Sequence, residues 1–162
     1  MNIVTILRYL SYGAVIALLI SLPVRIKNFR NNVGNCQLLL TRKNSPLFVF
    51  IAIFAPAMLV VLSFRSFPLY LTAVLEATPI LALEISIREM INRKSAGVYE
   101  EMLVVDGRRI KKGDILALPT LEWEESPSKS LKLVTKTAGE VLVNFENLEE
   151  RTATVQIIKD WV

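Results

Sequence analysis

Catalysis and metal binding need ionisable or nucleophilic side chains at defined spacing, and this chain offers few. It has no histidine, which removes the commonest general base and transition-metal ligand. A single cysteine, Cys36, excludes an intramolecular disulfide and a multi-cysteine metal site. The acidic pairs Glu100-Glu101, Glu124-Glu125 and Glu149-Glu150 are adjacent in sequence. Adjacent side chains point to opposite faces of a strand and diverge on a helix, so these pairs read as solvated surface and not as a general acid with its base. No serine stands beside a plausible base in the sequence, so no enzymatic activity, cofactor or metal is expected.

The residue that stands out is Glu76, with Thr72 one helical turn before it, in the apolar stretch Phe67 to Ile87. Nine residues from the start of that stretch is about 13 Å at 1.5 Å per residue, close to the midplane of a bilayer. A carboxylate at that depth costs several kcal/mol unless it is protonated, paired or hydrated. Three roles are open to it. It is neutral and hydrogen-bonded to Thr72 or a neighbouring helix, it binds a proton or cation in a small ion-handling subunit, or it answers a basic residue on a partner helix. Pro79, three residues on, lacks the N–H that would reach the Leu75 carbonyl and predicts a kink there. Glu84 and Arg88 are spaced four apart, as a helical ion pair would be.

Three segments are long and apolar enough to position these groups within a membrane. Pro46–Phe64 has nineteen residues without a charge, a length that crosses a hydrocarbon core. Residues 3–24 form a first span. Their uncharged part, from Tyr9, is about sixteen residues against the ~20 a crossing needs, so Arg8 is expected to extend its head group to the interface. Pro23 and a basic cluster end this segment with no small-residue cleavage site, which argues against a cleaved signal peptide. Residues 67–87 form the third span, with Pro68 in its first turn. Val33 to Leu40 is too short to cross and is expected to lie along the interface or against the rest of the protein.

Charge is distributed unevenly in a chain of net charge +4. Residues 1–97 carry ten basic and three acidic side chains; residues 98–162 carry nine and twelve. The basic excess flanks apolar spans, which reads as membrane-proximal charge and not as a nucleic-acid surface. Arg25, Lys27, Arg30, Arg42, Lys43, Arg93 and Lys94 gather at one set of span ends and are candidate contacts for anionic lipid head groups. By the positive-inside rule they place the N-terminus outside and the first loop and C-terminal part in the cytoplasm of a bacterial inner membrane. The acidic C-terminal part is expected to fold over the basic first loop.

From Val98 onward the pattern changes to short alternating runs. Asp106-Gly107 separates two of them and predicts a type I′ hairpin, which needs positive φ at both positions. Residues 98–105, 108–118, 130–136 and 140–145 predict a four-stranded antiparallel meander. Pro119 and the acidic stretch from Glu122 to Lys129 read as a loop. Asn147, followed three residues later by Glu150, predicts a capped helix whose Leu148, Thr152, Val155, Ile157 or Ile158, and Trp161 close the open side of the sheet. Trp123 and Trp161 read as packing residues. The expected organisation is a transmembrane domain over 1–97 and a cytosolic α+β domain over 98–162.

Three spans with a basic first loop, then Gly97-Val98-Tyr99, Ile110 to Ile115, and Val143-Asn144-Phe145-Glu146-Asn147-Leu148-Glu149, resemble the YobD-type family of uncharacterised bacterial membrane proteins. Residues 34–42, leucines before a basic residue, are similar too. The C-terminal part looks like a truncated PH-like domain. The resemblance implies a membrane module with no catalytic residues to carry over. The expected function is a binding or scaffolding module whose partners are membrane lipids, another protein or a second copy of itself, and not nucleic acid.

Overall fold

A computed structural model describes residues 2–41, 45–118 and 128–162. Helix α1 spans Ile3–Val33, α2 Pro46–Ser63 and α3 Leu69–Lys94; all three are long and apolar enough to cross a membrane. Strand β1, Cys36–Leu39, falls between α1 and α2. After α3 come β2 (Gly97–Tyr99), β3 (Met102–Val105), β4 (Arg108–Lys111), a 3-10 turn (Lys112–Asp114), β5 (Ile115–Ala117), β6 (Ser130–Thr135), β7 (Gly139–Asn144) and helix α4 (Leu148–Ile158). A last 3-10 turn covers Lys159–Trp161.

Two helices outrun their apolar segments. Pro23 lies inside α1 and does not end it, and α1 continues through the expected loop to Val33. Helix α3 likewise runs past the end of the third span at residue 87, to Lys94. A proline interrupts one backbone hydrogen bond but leaves helix on both sides where packing holds it. Pro68 sits just before α3, where its carbonyl accepts the Thr72 N–H at 2.9 Å.

The chain divides into two compact units, one of residues 1–27 and 45–91, the other of 28–44 and 92–162. In the first, Val15 of α1, Ala55 and Leu59 of α2, and Leu83 and Ile87 of α3 form a buried cluster. A third of the most apolar window of α3 is buried, against 11% for α1 and α2. Most large side chains of α1 and α2 therefore point away from the cluster, among them Ile20 and Ile53, each 70% exposed.

The second unit holds two antiparallel sheets, β1-β2-β3-β4 and β5-β6-β7. Sequence patterning predicts four strands after α3, and among the described residues there are six there, with β1 added in front. The expected first strand breaks at Glu100-Glu101, because the Glu100 N–H bonds the Asn35 carbonyl and the Glu101 N–H reaches the Val33 carbonyl. The expected second strand breaks at the Lys112–Asp114 turn, beyond which β5 pairs with β6 in the other sheet. Asp106 and Gly107 have φ of 50° and 76°, as their hairpin requires, and Val105 faces Arg108 across it.

Both sheets contribute to one core: Val98, Leu103, Val105 and Ile110 from the first, Ile115, Leu131, Leu133, Val141 and Val143 from the second. Ile158 of α4 belongs to the same cluster and is fully buried. The face that α4 turns inward matches the expected one at Val155, Ile157, Ile158 and Trp161 and departs from it in the first turns. Arg151, Thr154 and Ile158 are buried, with Val155, Ile157 and Trp161 partly so, whereas Leu148 and Thr152 are exposed. Trp123 lies outside the described residues.

Strand β1 is the element that composition hides. It pairs antiparallel with β2, Leu38 opposite Val98 and Leu39 opposite Gly97. The Leu40 N–H continues the ladder to the Ala96 carbonyl, and Leu40 is buried in the core. The first loop thus meets the C-terminal part as the charge split suggests, but a backbone ladder and a buried leucine make the contact. Arg42 and Lys43 lie outside the described residues.

The last turns of α1 and α3 belong to this second unit as well. Phe29 is 5% exposed, meets Tyr99 edge to face and carries the Arg109 guanidinium 4.6 Å above its ring. Asn92 accepts the Arg109 Nε–H at 2.6 Å and donates to the Gly107 carbonyl at 2.7 Å, which ties the end of α3 to the β3–β4 hairpin.

Candidate functional site

Glu76 is buried, as an acid in an apolar helix must be when it faces other helices, and its side chain is 6% exposed. Side chains on a helix lean toward its N-terminus, so the Glu76 carboxylate is carried toward the α2–α3 connection. There Ser11 of α1 donates its hydroxyl to Oε2 at 2.7 Å, and the Arg8 Nε lies 3.6 Å from Oε1. Ser11 is three residues after Arg8, so one face of α1 presents both groups.

Arg8 also joins the third helix of the unit. Its two terminal nitrogens donate to the carbonyls of Ser63, at 3.0 Å, and Arg65. The Ser63 carbonyl ends α2, where the last backbone acceptors have no helical donor and the helix dipole is negative, and Arg65 lies just beyond the helix cap. The Tyr12 hydroxyl is hydrogen-bonded to the Ser63 hydroxyl, which in turn donates to the Leu59 carbonyl. One arginine therefore touches the end of α2 and faces the acid of α3.

Thr72 is almost fully buried but is not a partner of Glu76; its hydroxyl donates to the Phe67 and Pro68 carbonyls at 3.3 and 3.2 Å. It finishes the start of α3 and does not build a polar pocket. Arg8 does not stand free: the carbonyls of Ser63 and Arg65 and the Glu76 carboxylate surround its guanidinium. The partner of Glu76 was not named in advance, although an apolar run too short to cross without Arg8 was a legible signal that this arginine needed one.

Glu84 is paired differently from its helical spacing. It receives both contacts from Arg25 of α1, at 2.8 and 2.6 Å, and not from Arg88. Both contacts come from one guanidinium nitrogen, Nη1, which reaches across from α1 to both oxygens of the carboxylate. Of the candidate head-group contacts, Arg25 is thus engaged with Glu84, Lys27, Arg30 and Lys94 are exposed, and Arg93 is half-buried.

In the second unit, a cavity of about 30 Å³ lies among Leu40, Ala96, Val105, Phe145, Thr41 and Glu150, room for a water and not for an organic ligand. Thr41 donates its backbone N–H to Glu150 at 2.8 Å, and its hydroxyl bonds the same carboxylate oxygen. The expected reciprocal cap of α4 is therefore half present. Asn147 accepts the Glu150 N–H at 2.8 Å, while the Glu150 side chain serves Thr41. Among the described residues no three acidic or cysteine side chains gather where they would hold a metal.

The arrangement joins three helices through charge and hydrogen bonds, and it offers neither a nucleophile with its base nor an open acid. Compared with family models, with curated proteins and with solved structures, the chain matches none.

Proposed function

We propose that the chain is an integral membrane protein that holds a small binding or scaffolding module at the cytoplasmic face of a bacterial inner membrane, with its N-terminus outside. The observation that carries this reading is the pairing of β1 with β2. β1 precedes the second apolar helix and β2 follows the third, so the two strands meet only on one side of a bilayer. Helices α2 and α3, each crossing once, bring them there. The exposed apolar side chains of those helices need a hydrocarbon solvent, since water would leave a contiguous surface unsatisfied. The excess of basic residues at 25–43 and 88–94 supports the cytoplasmic side.

Four and then three antiparallel strands followed by a helix support a PH-like reading of the second unit, and the order of parts supports kinship with the YobD-type family. Lipids are the proposed partners of Lys27, Arg30, Arg42, Lys43 and Lys94, with Arg25 set aside by its pair with Glu84 and Arg93 by its partial burial. A protein partner or a second copy is proposed for the module itself. An ion-handling role for Glu76 gains no support, because its carboxylate already has Ser11 and Arg8.

The lone cysteine makes the test direct. Cys36 is exposed on β1. A membrane-impermeant maleimide is expected to leave it unlabelled in intact spheroplasts and to label it in inverted vesicles. Labelling from outside overturns the cytoplasmic placement of the module, and release of the chain by carbonate overturns the membrane reading. For the module, extraction in mild detergent is expected to yield a defined oligomer or a stoichiometric complex; a bare monomer at every loading counts against it.

A further inference from the structure

We infer that α1 cannot hold its place across a bilayer by itself, and that Glu76 of α3 completes it, so that stable insertion of the first helix waits for the third. The inference rests on the membrane reading above. The uncharged stretch of α1 from Tyr9 to Val24 covers about 24 Å at 1.5 Å per residue, against a hydrocarbon thickness of about 30 Å. A crossing of ordinary length must therefore draw Arg8 toward the apolar layer. A guanidinium without partners there is strongly unfavourable.

The partners that Arg8 has all come from later in the chain. The Ser63 carbonyl lies 55 residues on, and the Arg65 carbonyl 57. The only opposite charge beside it is Glu76, whose side chain is 6% exposed and has no other cation within ion-pair distance among the described residues. The dependence runs both ways, since Ser11, the hydroxyl that satisfies Glu76, also stands on α1. Ser11 also lies 3.1 Å from the Leu7 carbonyl of its own helix, but the Glu76 carboxylate is the nearer acceptor, whereas Ser21 of α1 and Ser86 of α3 bond carbonyls of their own helices. The polar cluster thus makes two helices that are marginal alone into one stable set.

Full-length Glu76→Leu, Glu76→Gln, Arg8→Leu and the double variant Arg8→Leu/Glu76→Leu test this, each with an N-terminal epitope and the native Cys36 as the opposite-side reporter. Glu76→Leu and Glu76→Gln are expected either to accumulate at least about fivefold less than wild type or to leave the epitope on the same side as Cys36. The double variant, in which no charge remains to be solvated, is expected to return to within about twofold of wild type, with the epitope outside. Wild-type behaviour of both Glu76 variants overturns the inference, and so does a double variant no better than Glu76→Leu. Loss of Glu76→Leu alone, with Glu76→Gln normal, assigns the effect to the Ser11 hydrogen bond and also overturns it. A wild-type chain released by carbonate refutes the membrane reading; an inserted wild type with indifferent Glu76 variants refutes this dependence alone.

Discussion

Carboxylates in this protein differ sharply in what surrounds them. Glu76 is enclosed and faces a guanidinium, Glu84 is about a third exposed and paired, and Glu100 stands in solvent yet accepts two hydrogen bonds from Asn35. The Asn35 side-chain amide, at 3.0 Å, and then its backbone N–H, at 3.2 Å, hold the Glu100 carboxyl below its ordinary value of 4.5. A group whose pKa is lower in the folded state contributes stability above the unfolded value and loses it as pH falls through the folded one. Stability from this contact is therefore present above pH 4.5 and fades below it. Asn35→Ala is expected to return the Glu100 titration toward 4.5, followed by side-chain carboxyl NMR in detergent micelles. Arg25 and Glu84 make a well-formed pair, but with side chains 34% and 38% exposed it is worth at most about 1 kcal/mol. Glu84→Gln is accordingly expected to shift thermal unfolding by no more than a few degrees, in contrast to the enclosed acid at 76.

At the scale of elements, the turn between α1 and β1 decides whether the first loop reaches the sheet. Gly34 has a φ of +74°, and a Cβ there would come within 2.8 Å of the Glu100 carboxylate. Glycine alone enters that conformation without steric cost, so Gly34→Ala is expected to destabilise the second unit by about 1–2 kcal/mol, measured as a lowered denaturation midpoint. The two sheets bury a single shared core with α4, and its centre tolerates little. Leu133 is fully buried between Leu131 and Thr135 on β6. Leu133→Ala is expected to cost about 2–5 kcal/mol, a transfer term plus a cavity, readable as loss of protease resistance in the second unit. Arg109→Ala would remove both the stacking on Phe29 and the hydrogen bond to Asn92, which joins the β3–β4 hairpin to α3.

At the scale of the molecule, each compact unit is discontinuous in sequence. Residues 28–44 belong with 92–162, although a division after residue 97 follows from hydropathy alone. Apolar run length made the three long helices legible, because a hydrocarbon-compatible segment needs only length and composition. The Asp106-Gly107 hairpin and the Asn147 cap were legible for a similar reason, since each is decided by residues within four positions of one another. Strand β1 was not, because four residues carry too little periodicity to separate a strand from an interfacial segment, and its partner lies some sixty positions away. Nor were the breaks in the first two predicted strands, which depend on backbone partners at Val33 and Asn35 and on a second sheet. Sequence by itself determined the apolar helices, their basic flanks and the local turns, because these follow from transfer energies and short-range sterics. Only tertiary structure decided that Arg8 faces Glu76, that Arg25 rather than Arg88 answers Glu84, and that the first loop supplies a strand, because each is a choice among distant partners settled by packing geometry.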